Sequence, residues 1–152
     1  PHAQVAKRFV ESYCRDHEIE LIESKITRPK LDSESPEEYW RNERYLFFKE
    51  QAAPVVTAHH LDDAVEWWIF SSLHGQGKLI PRVRPNYLRP FLLTRKDVLM
   101  DYCRFYNLDF SIDATNFLTD RPRVLIRNKM LYDCLKINPG IHKMIKKKYL
   151  KK

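Results

Sequence analysis

Two histidines, two aspartates and a glutamate crowd into one short stretch, His59-His60-Leu61-Asp62-Asp63-Ala64-Val65-Glu66. Asp63 and Glu66 are three residues apart, so on a helix they share a face and repel each other. Taken singly, each residue has an ordinary reading: aspartate caps helices, and histidines in a loop are solvated. Taken together they are a local conflict, which is expected mainly at functional sites. The chemistry on offer is ligand binding through carboxylates and imidazoles.

The flanking residues say how these groups are held. Pro54–Ala58 is short, apolar and β-branched, which predicts a buried strand. Val65, Trp68, Ile69, Ser72 and Leu73 recur at three- and four-residue spacing, which predicts a helix with one buried face. The acidic cluster therefore stands where a strand hands over to a helix N-terminus, with Asp62 and Asp63 suited to be cap and first-turn charges. Ligands of open α/β sheets bind outside the carboxyl ends of strands.

The remaining elements follow from pattern. Val5, Phe9, Val10, Tyr13 and Cys14 form a stripe on a helix over Ala3–His17, and Leu21 and Ile22 predict a short strand within Glu18–Lys25. Residues 27–36 read as a loop. Ser35-Pro36-Glu37-Glu38 opens a helix that carries Trp40, Phe47 and Phe48 as core residues towards Ala52. Gly75 and Gly77 fall just past the central helix, where glycine supplies a left-handed cap. Residues 78–90, with Lys78, Arg82, Arg84 and Arg89 among prolines, predict an exposed basic loop. Arg95–Tyr106 reads as an amphipathic helix with Leu99, Tyr102 and Tyr106 on one stripe. Asp109–Arg123 is polar and aperiodic, with Asp113 and Asn116 placed for turns or caps. A helix starts near Pro122, with Val124, Leu131 and Leu135 on one side, and Asn138-Pro139-Gly140 breaks it. The final residues, 141–152, form a short tail rich in lysine, including Lys146, Lys147 and Lys148.

The chain has 152 residues, the size of one domain, and 43% of them are hydrophobic, enough for a core. No apolar run reaches membrane-spanning length. The formal net charge of +7 favours a polyanionic partner. Cys14, Cys103 and Cys134 are widely spaced without a Cys-x-x-Cys, which predicts free thiols in a reducing, cytoplasmic setting rather than a zinc or iron–sulfur site.

The cluster resembles the His-His-x-Asp-Asp-x-x-Glu signature of the tRNA(Ile)-lysidine synthetases, which are PP-loop ATP pyrophosphatases. Further blocks agree in order: Leu73-His74-Gly75-Gln76-Gly77, Arg89-Pro90-Phe91-Leu92, Arg95, Asp113-Ala114-Thr115-Asn116, Arg127-Asn128-Lys129 and Asn138-Pro139-Gly140. The resemblance implies an α/β, helix-rich, partial PP-loop domain of the adenine nucleotide alpha hydrolase-like, Rossmann-like kind. Residues 1–120 would be the C-terminal portion of that domain, and 121–152 a basic helical extension. Ala64 and Trp67 depart from the family, which tends to have Gln and Thr there. A larger departure is the phosphate-cradling Ser-Gly-Gly-x-Asp-Ser loop, which is absent from this sequence together with the family's first strands. The expectation is a partner chain, or a segment upstream of Pro1, that carries the loop. Without it, the strands at 18–25 and 54–58 would face empty hydrogen-bonding edges.

The resemblance implies an ATP-dependent ligase that joins free lysine to the wobble cytidine of an isoleucine tRNA, with magnesium. By position, Asp63 and Glu66 match lysine-binding acids and Arg127 an arginine near the activated base, the three catalytic candidates. His59, His60, Asp62, Gly75 and Gly77 match the nucleotide side, with Asp62 a magnesium ligand. Arg89, Arg95, Lys129, Lys146, Lys147 and Lys148 are the tRNA-binding candidates. Competing readings are a PP-loop tRNA thiolase, a non-catalytic tRNA-binding or assembly module, and a zinc site from His59, His60 and His74.

Overall fold

The computed structural model describes residues 2–110 and 122–151. Asp113, Asn116 and the aperiodic segment around them lie outside the described residues. The rest is a helix-rich α/β arrangement. Helices α1 (His2–Asp16) and α2 (Pro36–Lys49) come first. Strand β1 (Val55–Val56) then leads into helix α3 (Leu61–Leu73). Strands β2 (Val83–Arg84) and β3 (Tyr87–Leu88) follow. A 3-10 turn at Pro90–Leu93 passes to α4 (Lys96–Phe105). Helix α5 (Pro122–Leu125) continues through a π-turn (Ile126–Met130) into α6 (Leu131–Ile137), and α7 (Ile141–Leu150) closes the order.

The sheet is small, with order β1-β3-β2. Val55 and Val56 run parallel to Tyr87 and Leu88, and β2 runs antiparallel to β3. Thr57 N–H donates to the Leu88 carbonyl at 2.9 Å, extending the pairing to the mouth of the cluster. β1 is the outer strand of this sheet, and its other edge has no strand partner among the described residues. Residues 78–90, expected as an exposed loop, instead contain this hairpin, and Tyr87 and Arg89 are buried. No strand forms at residues 18–25. Leu21 and Ile22 are exposed there, and without a neighbouring ladder an extended segment has nowhere to pair its backbone.

The core joins one half of α3 to the C-terminal helices. Leu61, Ala64, Val65 and Ile69 pack with Leu92, Ile126, Ile141 and Ile145. Leu73, expected on the buried stripe, is exposed, because the covering helices reach only the N-terminal half of α3. Ser72, at the same end of that stripe, is exposed too. The expected tail is not free over its described residues: α7 docks on α3, and Ile145 has no exposure at all. In α2, Tyr39 is the buried aromatic and its hydroxyl donates to the Arg28 carbonyl. Trp40, expected in the core, is 46% exposed, because the helix turns the adjacent residue inward. Tyr102 and Tyr106 of the α4 stripe also face solvent, whereas Leu99, Met100 and Cys103 are half-buried. The stripe of α1 is open as well: Val5, Val10 and Tyr13 are exposed. Ser35 caps α2 as its sequence demands, accepting from Glu38 N–H. The three cysteines are free. Among the described residues no helix is long and apolar enough to cross a membrane.

Candidate active site

The handover from β1 to α3 is built by a reciprocal cap. His60 is the N-cap, and its Nδ1 accepts from Asp63 N–H at 3.3 Å while Asp63 Oδ2 accepts from His60 N–H at 2.9 Å. The cap expected of an aspartate is thus taken by His60, with Asp63 as its partner one turn in, where a negative charge suits the helix dipole. At the far end of α3, Gly75 N–H donates to Ser72 O and Gln76 N–H to Ser71 O, with Gly75 at φ 74°. That is a Schellman cap, in which glycine takes the left-handed conformation that a Cβ disfavours. Gly77 also has positive φ and reaches the edge of the main cleft.

The cap fixes the next turn. Glu66 is 2% exposed, and each of its oxygens receives an arginine: Arg123 Nε at 2.7 Å and Arg127 Nε at 2.8 Å. Arg127 Nη2 also lies 3.7 Å from Asp63 Oδ1. The repulsion between Asp63 and Glu66 is thereby offset by cations delivered from another part of the chain. Arg123 and Arg127 are four residues apart, on α5 and on the π-turn that follows it. A π-turn inside a helix is a local irregularity often found at functional sites, and here it carries Arg127. Arg123 was not a candidate from sequence. Its i, i+4 spacing to Arg127 is the signal that was there to be read.

Asp62 faces a different way. Its Oδ2 accepts from Lys96 N–H at 2.7 Å and its Oδ1 is 3.0 Å from His142 Nε2. Burial raises its pKa, but the His142 hydrogen bond and the Lys96 amide outweigh burial and leave it at about 2. Asp62 thus ties the start of α3 to the start of α4 and to α7. Both of its oxygens are engaged, and among the described residues no group of three or more His, Cys, Asp or Glu side chains could hold a metal. These side chains form no protein cage for a metal, and a magnesium ion held by Asp62 would take its other ligands from phosphate and water. A zinc site from His59, His60 and His74, all of them described residues, is absent for the same reason. His74 bonds back to Phe70 O, and His59 Nδ1 lies 3.0 Å from Thr57 Oγ1.

His59 opens onto a cleft of about 750 Å³ whose lining includes Arg89, Gly77 and Arg123. Burial first, and the nearby Arg89 charge second, lower the His59 pKa and hold its ring neutral. Arg89 is 3% exposed, donating from Nη1 to Pro81 O and from Nη2 to Tyr45 Oη. Arg95 is exposed and pairs with Asp97 at the start of α4. Lys129 is exposed beside Arg127. Lys146, Lys147 and Lys148 are exposed on α7, and of these Lys148 borders the cleft. The structure therefore brings Asp63, Glu66 and Arg127 into contact, sets His59 and Gly77 along the adjoining cleft, and leaves Arg95 and Lys146 apart from it.

A strand-to-helix acidic cluster beside a basic cleft is what a nucleotide-using α/β enzyme would carry. Residues 1–133 match the PP-loop domain family, and the chain belongs to it. More narrowly, the chain is similar to tRNA(Ile)-lysidine synthases. It is 32% identical over 146 residues to that of Persephonella marina, an alignment covering 89% of this chain and 32% of the relative. It is 29% identical over 147 residues to the Thermotoga maritima enzyme, covering 89% and 36%. It is 28% identical over 156 residues to the Bacillus subtilis enzyme, covering 92% and 33%. The chain spans about a third of the length of these relatives.

Proposed function

We propose that this chain forms the amino-acid and RNA side of an ATP-dependent ligase that joins lysine to the wobble cytidine of an isoleucine tRNA. The observation that supports it best is the contact of Asp63, buried Glu66 and Arg127 at the exit of β1. In the proposed reaction, the C2 carbonyl oxygen of the cytidine attacks the α-phosphorus of ATP and pyrophosphate leaves. The lysine amine then attacks C2, and AMP leaves with the oxygen. Asp63, which keeps one oxygen turned to Arg127 across 3.7 Å, receives the ammonium of free lysine. Glu66 orients Arg123 and Arg127 when lysine is absent. An incoming ammonium competes for the same carboxylate, freeing an arginine to face the negative charge that builds up on the departing phosphate. Neutral His59 and the cap residue His60 line the approach from the cleft.

Binding of the ATP phosphates falls to a Ser-Gly-Gly-x-Asp-Ser loop, which the sequence lacks. Backbone amides of such a loop at a helix N-terminus make a natural phosphate site. That loop, and the magnesium with it, would then lie outside these 152 residues, on a partner chain or on a further segment of the same protein. The test is to mix the chain with a PP-loop-bearing fragment of a relative and measure AMP release. Release that requires both lysine and tRNA is expected. AMP release indifferent to lysine would overturn the reading.

A further inference from the structure

An amine attacks an electrophile only as the free base, and the lysine side chain, with an ordinary pKa of about 10.4, is protonated at neutral pH. The ammonium that Asp63 receives must therefore lose a proton before it can react. The acids around it are poor acceptors. Both oxygens of Glu66 hold arginines, and the oxygens of Asp62 hold the Lys96 amide and His142. Asp63 Oδ2 accepts from His60 N–H, and its carboxylate is the counter-charge of the ammonium itself. His60 is committed as well. Its Nδ1 accepts from Asp63 N–H, so the proton of the neutral ring sits on Nε2 and no lone pair is left open.

His59 differs from its neighbour. Its Nδ1 lies 3.0 Å from Thr57 Oγ1, and its Nε2 has no partner among the described residues. Nε2 is not sealed off, since Arg89 Nε is the buried side-chain atom left without a partner among those residues. His59 lines the cleft together with Arg123, which holds Glu66, and Trp67, one turn after Asp63 on α3. The open nitrogen thus belongs to the cavity that borders the acidic cluster. Thr57 is a fixed support: its N–H donates to Leu88 O at 2.9 Å, and a β-branched side chain has few rotamers. With Thr57 Oγ1 accepting from Nδ1–H, the neutral ring carries its lone pair on Nε2. The imidazolium keeps the same bond, because Nδ1–H donates in both states. Burial first, then the charge of Arg89, with Arg123 and Arg44 behind it, lower the His59 pKa below 6.5 against the opposing charge of Asp63. At neutral pH the ring is therefore an unprotonated acceptor.

We propose that His59 Nε2 is the general base that takes a proton from the substrate ammonium held by Asp63, with Thr57 as the positioning residue that fixes the imidazole tautomer. The inference deepens the ligase reading and rests on it for the identity of the amine. In the step, an ammonium N–H bond breaks, its electron pair stays on nitrogen, and the proton moves to Nε2. The amine nitrogen then bonds to C2 of the adenylated cytidine as the C2–O bond to AMP breaks. The second amine proton leaves on the AMP phosphate, and the imidazolium returns its own proton to water in the open cleft. Arg127, 3.7 Å from Asp63 Oδ1, adds positive charge beside the ammonium and favours its neutral form.

The test is the pH profile of lysine-dependent AMP release by the full chain supplemented with the PP-loop-bearing fragment, at saturating lysine and tRNA. The parent should reach a plateau once His59 is neutral, because base and ammonium are then both present, and hold it up to about pH 9. His59→Ala should lose at least about a hundredfold at neutral pH. Its rate should then climb about tenfold per pH unit, since only amine deprotonated by solvent reacts. Added imidazole should restore it. Thr57→Val should lose less, with Thr57→Ser recovering the loss. If His59→Ala does not fold, the Thr57 pair decides, together with long-range proton–nitrogen NMR of the parent chain. That spectrum should show neutral His59 protonated on Nδ1. A neutral ring protonated on Nε2 overturns the proposal whatever the ligase does. A plateau kept in His59→Ala, or an equal loss at every pH without rescue by imidazole, overturns the base and leaves the ligase reading standing. AMP release indifferent to lysine, or none, removes the ligase reading and the base with it.

Discussion

Replacing Glu66 by glutamine removes one negative charge from a group that is 2% exposed and touches two guanidinium groups. The side chain keeps its volume, so the change is electrostatic and leaves no cavity. A hydrogen bond to a charged partner contributes about 1.5–3 kcal/mol. The amide oxygen of the introduced glutamine keeps one of the two bonds, now as a neutral acceptor. Its NH2 group must face the other arginine, donor against donor. The arginine side chains are 48% and 37% exposed, so water recovers part of their solvation and the loss is discounted. The net expectation is a destabilisation of about 2 kcal/mol, or about 4–8 °C in Tm for a chain of this size. Thermal unfolding followed by circular dichroism measures it. Arg123→Ala and Arg127→Ala, each combined with Glu66→Gln in a double-mutant cycle, should show coupling of about 1 kcal/mol or more. A Tm within about 1 °C of the parent and no coupling in either cycle would mean that the two arginines do not rest on Glu66 in solution, and the reasoning would fail.

Substitutions at three other positions probe what holds the site in place. Ile145→Ala removes a fully buried side chain between α7 and α3 and should cost about 2–4 kcal/mol in chemical denaturation. A cost under about 1 kcal/mol would show that α7 is not docked. Gly75→Ala meets no atom within 4 Å, so its cost is backbone alone, about 1 kcal/mol at φ 74°, and Gly75→Asn should cost less. Equal stabilities for the two variants would refute the left-handed cap. Asp62 sits at about 2 against an ordinary 3.8, so its folded form holds the proton less tightly than the unfolded chain. Its stabilising effect is full above the ordinary value and is lost as pH falls through about 2. Asp62→Asn should therefore flatten the stability profile between those two values, and a variant with the parent's acid limb would show that the Lys96 and His142 contacts do not form.

Much of the site could be read in advance because it is local. The apolar, β-branched run before the cluster, the periodicity after it and the glycines beyond it lie within a few residues of one another, and local spacing suffices to place them, although the strand is not buried as expected: Val56 is 60% exposed because nothing packs over it. The cap of α2 was legible for the same reason. What stayed hidden depends on neighbours distant in sequence. His142 meets Asp62 across 80 residues, and Arg123 meets Glu66 across 57. Neither pairing has a periodic signature. Arg89 read as one cation among several in a loop, because an arginine's burial is set by what packs over it and not by its own type. The stripes on α1 and α4 were correctly apolar, yet Val5, Tyr102 and Tyr106 face solvent. Periodicity reports that a helix has an apolar side, and not what lies against it. The strand expected at residues 18–25 failed for a related reason: β structure needs a ladder partner, which propensity cannot supply.

The most direct test of the account is transfer of radiolabelled lysine to an isoleucine tRNA transcript, with ATP, by the chain supplemented with a PP-loop-bearing fragment. The account predicts label in the tRNA that depends on ATP and on the fragment, and a drop of at least about a hundredfold in Asp63→Asn, the loss typical of removing an electrostatic contact to a reacting group. No transfer in any supplemented form, or transfer undiminished in Asp63→Asn, would contradict it.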